Sequence, residues 1–179
     1  MKSLIILTAM AGMLKLCNKT QQQAQNCAGQ HPDILHKLEK SVAEDVASDD
    51  SVVVLSAEKF LGQMDMEFSS YKPDAGSCKQ LSSKLQGVEV RVIGGNWCSD
   101  TRREVPRMCR VLCEAGLPAE QFAYFKVDKQ KKAVNKDFAA EQKVSRVPEF
   151  FVYRNGNLLG SIIETPQVSL EKDLLEILK

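Results

Sequence analysis

What this chain has little of narrows the field before any motif is considered. Its net charge is only +1, from 24 basic and 23 acidic side chains, and no run of lysine and arginine is interleaved with aromatics. That removes the electrostatic case for a nucleic-acid partner. Histidine is scarce. His31 and His36 are the only two; they lie around a helix start, where surface or capping roles fit better than ligation or catalysis. No apolar run is long enough to cross a bilayer, since the stretch from Leu4 to Leu14 falls well short of the roughly 20 residues a spanning helix needs. The six cysteines (Cys17, Cys27, Cys78, Cys98, Cys109, Cys113) have no regular spacing, so no disulfide framework is legible. Cys109 and Cys113 as a metal pair would need two further ligands that the sequence does not supply.

What is present is the composition of a globular domain. With 179 residues, 44% of them hydrophobic and 26% charged, the length suits one domain and a tail. Met1 to Leu16 reads as an export signal, with Lys2 ahead of a short apolar stretch. Residues 17–30, rich in glutamine, cannot bury a core and read as a tether. Cys17 sits at the junction. This arrangement resembles a bacterial lipoprotein, in which such a cysteine is lipidated and holds the protein to a membrane, although Lys15 and Leu16 stand where a small residue is usual. The expectation is a cell-envelope protein, with a plain secretory signal or a cytoplasmic N-terminus as the alternatives.

Periodicity then sets out the elements. Pro32 and Asp33 open a helix carrying Ile34, Leu35, Leu38, Val42 and Val46. A second helix is expected from Ser56 to Tyr71, and a third from Ser77 to Leu85, ending before Gly87. Val88 to Ile93 alternates as a strand, with Glu89 and Arg91 as charged residues on a strand that should be central. From Thr101 to Ala115 the residues Val105, Met108, Cys109, Leu112 and Cys113 form one buried helical face. On that face both cysteines read as small hydrophobes. Pro106 interrupts the helix's hydrogen bonding and Gly116 ends it. Phe122 to Val127 is the next strand, and a lysine-rich helix is expected from Lys131 to Lys143. Glu149 to Tyr153 and Leu158 to Ile163 form a hairpin across Asn155-Gly156, and a last helix runs from Ser169 to Leu178. The fold class is α/β: a mixed sheet with helices on both faces over residues 88–179, preceded by a helical extension over 31–87.

The chemistry centres on Trp97-Cys98-Ser99-Asp100-Thr101, where strand gives way to helix. Helix amides and the macrodipole favour a thiolate at such a position. A dithiol site would carry its second cysteine at Thr101. Cys109 cannot substitute: along a helix rising about 1.5 Å per residue it lies some 16 Å from Cys98, against the roughly 6.8 Å limit for a disulfide. The Thr101 hydroxyl is placed to polarise the Cys98 thiolate. Arg102 and Arg103 add positive charge nearby and Asp100 opposes it.

Four features in order resemble the thioredoxin superfamily: Trp97-Cys98 at the end of a strand, Pro106 in the following helix, Val147-Pro148, and the hairpin Phe150-Phe151-Val152-Tyr153-Arg154-Asn155-Gly156-Asn157. The motif is similar to that of a bacterial single-cysteine subgroup reading Trp-Cys-Gly-Asp-Ser. The resemblance implies a thioredoxin-like fold, a cis peptide before Pro148 facing the sulfur, and a cleft in which Trp97, Val147 and Pro148 bind substrate. Two departures matter. Thr101 replaces the resolving cysteine, and Val92 stands where thioredoxins carry a buried acid. The implied function is that of a monothiol protein: Cys98 attacks a protein or low-molecular-weight disulfide, and a thiol from elsewhere releases it. No cofactor and no metal are implied. The alternative is a non-enzymatic binding module with a degenerate site. A third, a sensor in which Cys98 is oxidised to sulfenic acid, is disfavoured by Gly95 where a thiol peroxidase would want threonine.

Overall fold

The computed structural model describes residues 33–46, 57–134 and 138–179. The signal, the tether, Cys17, Cys27 and His31 lie outside them. Helices α1 (Asp33–Val46), α2 (Ala57–Ser70) and α3 (Ala75–Ser82) precede β1 (Val88–Gly94) and α4 (Ser99–Ala115). A single 3-10 turn (Ala119–Gln121) leads into β2 (Phe122–Lys126). Then follow α5 (Phe138–Glu141), β3 (Glu149–Arg154), β4 (Asn157–Ile163) and α6 (Leu170–Ile177).

The four strands form one mixed sheet in the order β2-β1-β3-β4. Strand β1 runs parallel to β2, with Val90 opposite Phe122, and antiparallel to β3, with Val90 opposite Val152. A parallel neighbour requires a crossover, and α4 is that crossover. The β3–β4 hairpin closes through Asn155 and Gly156, both with left-handed backbone (φ 50° and 80°), as a turn matching the strand twist demands.

Strand alternation divides the interior in two. Val88, Val90 and Val92 of β1, Phe150 and Val152 of β3 and Phe122 of β2 face a large apolar cluster. That cluster is filled by Val105, Met108, Cys109 and Leu112 of α4 and by residues of α1, α2, α3 and α6. The opposite face is thin. Ile93, Val127, Ala139, Val147 and Phe151 make a small buried cluster, with Trp97, Cys98, Phe125 and Phe138 packed half-buried against it.

The thin face resolves the puzzle of a charged central strand. Glu89 and Arg91 point to it and pair at 2.9 Å. The Arg91 guanidinium lies 5.3 Å from the Phe138 ring centre and 4.8 Å from that of Tyr153. A cation over aromatic faces is favourable and keeps contact with water. Phe138 also packs on Phe125 and edge-on to Phe151.

This arrangement corrects the expected helix from Lys131 to Lys143. Among the described residues only Phe138–Glu141 is helical there. Lysine favours helix weakly, but the backbone after β2 is captured elsewhere. Ala133 bridges Val127, Val134 N–H donates to Lys126 O at 3.1 Å, and Lys131 N–H donates to Asp128 O at 2.9 Å. Lys131 itself has φ 62°, which no helix accommodates.

The extension is fastened to α4 and α6 by polar contacts as well as hydrocarbon. Arg107 pairs with Glu67 of α2 at 2.8 Å. The Tyr71 hydroxyl donates to Glu171 at 2.9 Å, and the other Glu171 oxygen accepts the Asp74 N–H at 3.1 Å. Glu171 is only 4% exposed, so both its oxygens need these partners. Burial, and then the Glu171 carboxylate beside it, push the Tyr71 phenol well above its ordinary range. Helix α3 begins earlier than the sequence suggests because Asp74 caps it, accepting from Ser77 N–H at 2.8 Å and Ser77 Oγ at 2.7 Å. These bonds hold the Asp74 carboxyl below its usual range.

Candidate thiol site

Strand β1 ends at Gly94, and Gly94-Gly95 make the site possible. A β-carbon on Gly94 would lie 2.8 Å from the Tyr124 ring and 2.9 Å from the Thr101 methyl; one on Gly95 would meet the Trp97 indole at 2.5 Å. Only glycine admits such close approach. The turn that follows is braced from three directions. Tyr124 Oη donates to Asn96 Oδ1 at 3.0 Å. Arg102 Nη1 donates to the carbonyls of Asn96 and Trp97, each at 3.1 Å. Cys98 N–H donates to Gly95 O at 2.8 Å.

Cys98 is the N-cap residue of α4, with extended backbone (φ −84°, ψ 127°), and its side chain caps no helix amide. The half-buried sulfur instead donates to the Val147 carbonyl at 3.2 Å. The Val147–Pro148 peptide is cis, and the buried loop is tied to the sheet by Glu164 N–H donating to Pro148 O at 2.7 Å. Trp97 lies in the same apolar cluster as Cys98 and Val147, its indole N–H donating to Val127 O at 3.3 Å. The structure therefore brings together Trp97, Cys98, Val147 and Pro148.

Thr101 is placed differently. It is 2% exposed, and its hydroxyl accepts the Gly95 N–H at 3.4 Å. Among the described residues no hydrogen bond joins it to Cys98, so its observed part is to hold the turn beneath the thiol. The nearby charges are also committed. Arg103 binds Asp100 at 2.8 Å and the buried Glu104 at 2.6 Å.

The other cysteines are set apart from Cys98. Cys78 and Cys109 are free thiols buried in the large cluster on the opposite face. Burial, with Glu114 the next cause, pushes the Cys78 thiol up to about 12; burial alone drives Cys109 higher still. Cys113 departs from its expected role as a buried thiol. It is half-buried and disulfide-bonded, and since Cys78, Cys98 and Cys109 are free, its partner is none of them. A residue at the edge of an apolar stripe reads as core from spacing alone, and nothing in the spacing marks it for pairing. Among the described residues no group of three or more His, Cys, Asp and Glu side chains is placed to hold a metal ion, and no helix is long and apolar enough to cross a membrane.

Sequence reasoning missed Asn96, Tyr124 and Arg102 as braces of the turn. The Gly94-Gly95 pair before Asn96 was the available signal, since paired glycines at a strand end mark close approach. Comparison of the chain with protein-family models finds no match, and none of the curated proteins matches it.

Proposed function

We propose that this is a thioredoxin-like monothiol protein whose Cys98 forms mixed disulfides with protein or low-molecular-weight disulfides. The observation that carries this reading is the 3.2 Å approach of Cys98 Sγ to the Val147 carbonyl, beside a cis Val147–Pro148 peptide. A half-buried thiol at a helix N-terminus, beside that peptide and in one apolar cluster with Trp97, supports it. In the reaction the Cys98 thiolate attacks one sulfur of a disulfide, the Cys98–S–S–partner bond forms, and the other sulfur leaves and takes up a proton. A thiol from a second molecule then attacks the mixed disulfide and leaves Cys98 reduced. Cys78 and Cys109, buried on the other side of the sheet, are not placed to do this.

The β2-β1-β3-β4 order with a parallel β1–β2 pair and the placement of Pro106 within α4 support the thioredoxin-like reading of the fold. Export is part of the same proposal. A disulfide at Cys113 suits an oxidising compartment, and Cys17 would carry the lipid that tethers the protein to a membrane.

A second reading, a binding module that uses the cleft without thiol chemistry, is favoured by one specific observation. The Thr101 hydroxyl faces Gly95, and the sulfur bonds to the Val147 carbonyl instead. The two separate on one experiment. Affinity capture under non-reducing conditions is expected to give adducts that dithiothreitol releases and that Cys98→Ser abolishes. Partners that bind equally well to Cys98→Ser, with no reducible adduct, would establish the binding module instead.

A further inference from the structure

Next to the apolar cluster that holds the thiol, the chain makes a tight turn rich in lysine. From Asp128 to Val134 there are Lys129, Lys131 and Lys132 against Asp128 alone, in a chain whose net charge is only +1. Lys129, Lys131 and Lys132 are exposed, and none makes an ion pair among the described residues. The one acid in the turn is engaged by its backbone, Asp128 Oδ1 accepting the Lys132 N–H at 2.9 Å.

The turn is fixed in place at both ends. Asp128 N–H donates to Lys132 O at 2.9 Å, and Val127 pairs with Ala133. Val127 and Ala133 belong to the same small apolar cluster as Trp97, Cys98 and Val147, and Val127 O accepts the Trp97 indole N–H. The lysines therefore sit on a loop whose two feet stand in the apolar cluster that includes Trp97 and Cys98. Lys131 holds a left-handed backbone (φ 62°), a conformation that glycine or asparagine adopts more readily. Near the start of α4 the carboxylates are already engaged: Asp100 and Glu104 are bound by Arg103.

We propose that the Asp128–Lys132 turn is a docking rim for acidic polypeptide, so that the disulfides delivered to Cys98 are those flanked by Asp and Glu. The inference rests on the thiol reading and adds the class of substrate. Like-signed charge at a cleft mouth raises the encounter rate of oppositely charged ligands, and salt suppresses the effect. Long, flexible lysines suit an extended acidic segment better than a single fixed anion, for which a bidentate arginine would be the stronger partner.

The test uses three synthetic peptides of equal length, each with one cysteine carried as a mixed disulfide with pyridine-2-thiol. One peptide has acidic flanks, one neutral and one basic. Attack of Cys98 on the peptide sulfur forms the protein–peptide disulfide and releases pyridine-2-thione, which is followed by absorbance; Cys98→Ser gives the background. The acidic peptide is expected to react about tenfold faster than the basic one at low ionic strength. That ratio should fall toward one at high salt, and also in the triple variant Lys129→Gln, Lys131→Gln, Lys132→Gln, whose fold is checked by its melting temperature. Equal rates for acidic and basic peptides, or a ratio that survives the triple variant, overturn the docking rim while leaving a reactive Cys98. Absence of reaction with the neutral peptide overturns the thiol reading, and the rim with it.

Discussion

The two faces of the sheet are built on different principles. One is hydrocarbon several helices deep, and its thiols, Cys78 and Cys109, are sealed by it. The other is shallow, covered by the four residues of α5 and by loops, and uses rings and a cation where the first uses aliphatics. Cys98 belongs to the shallow side. The same residue type is thus inert on one face and accessible on the other, and depth of cover decides which.

Single substitutions sharpen that contrast. The largest effect is expected for Phe150→Ala, which opens a cavity on the deep face beneath a fully buried ring; chemical denaturation should show a loss of about 3–5 kcal/mol. Phe138→Ala on the shallow face removes partly solvated ring contacts and the Arg91 stack, and should lose only about 1–2 kcal/mol. Equal losses would mean that the two faces do not differ in depth. Next comes Tyr71→Phe, which leaves one oxygen of the buried Glu171 without its donor. About 1–2 kcal/mol is expected, read in the same way, with the extension becoming more open to proteolysis around α2 and α3.

The thiols provide a comparison in pH. Folding holds Cys78 protonated, its value raised from 9.0 to about 12, and Cys109 is raised further by burial. Below pH 9 both states bind the proton and the stability is intact. Above it the unfolded chain ionises first, so stability should decline between pH 9 and about 12. Thermal melts across that range check the decline. Alkylation of the native protein at neutral pH, mapped by mass spectrometry, should label Cys98 and leave Cys78 and Cys109 untouched. The smallest effect belongs to Asp74, whose lowered carboxyl stabilises the cap of α3 above the ordinary carboxylate range. That contribution should fade as acid protonates the group, and an Asp74→Asn variant should flatten the acid limb of the melting curve.

Much of the frame was legible because its signals are local. Asn155-Gly156 encodes its own turn, Gly116 its helix end (φ 84°), and the β1 valines their inward face. What failed was set by partners distant in sequence. The stretch after Lys131 has residues that tolerate a helix, yet hydrogen bonds to β2 and the pull of Phe138 into an aromatic cluster decide its course. Thr101 lies one helical turn from Cys98, which suggested a contact with the sulfur; Gly94 and Gly95 let its hydroxyl turn under the strand instead. Tyr71 and Glu171 lie 100 residues apart, and no spacing rule joins them. In the candidate site, the residues that face the cleft were readable, and the ones that brace it were not.

Glu164, like Lys131, is a non-glycine residue with left-handed backbone (φ 60°), and its amide is bonded to the Pro148 carbonyl. The end of the last strand is thus joined to the loop whose Val147 carbonyl meets the sulfur. Whatever loosens that bond is expected to loosen the Val147–Pro148 loop as well, and the rate at which Cys98 is alkylated would register it.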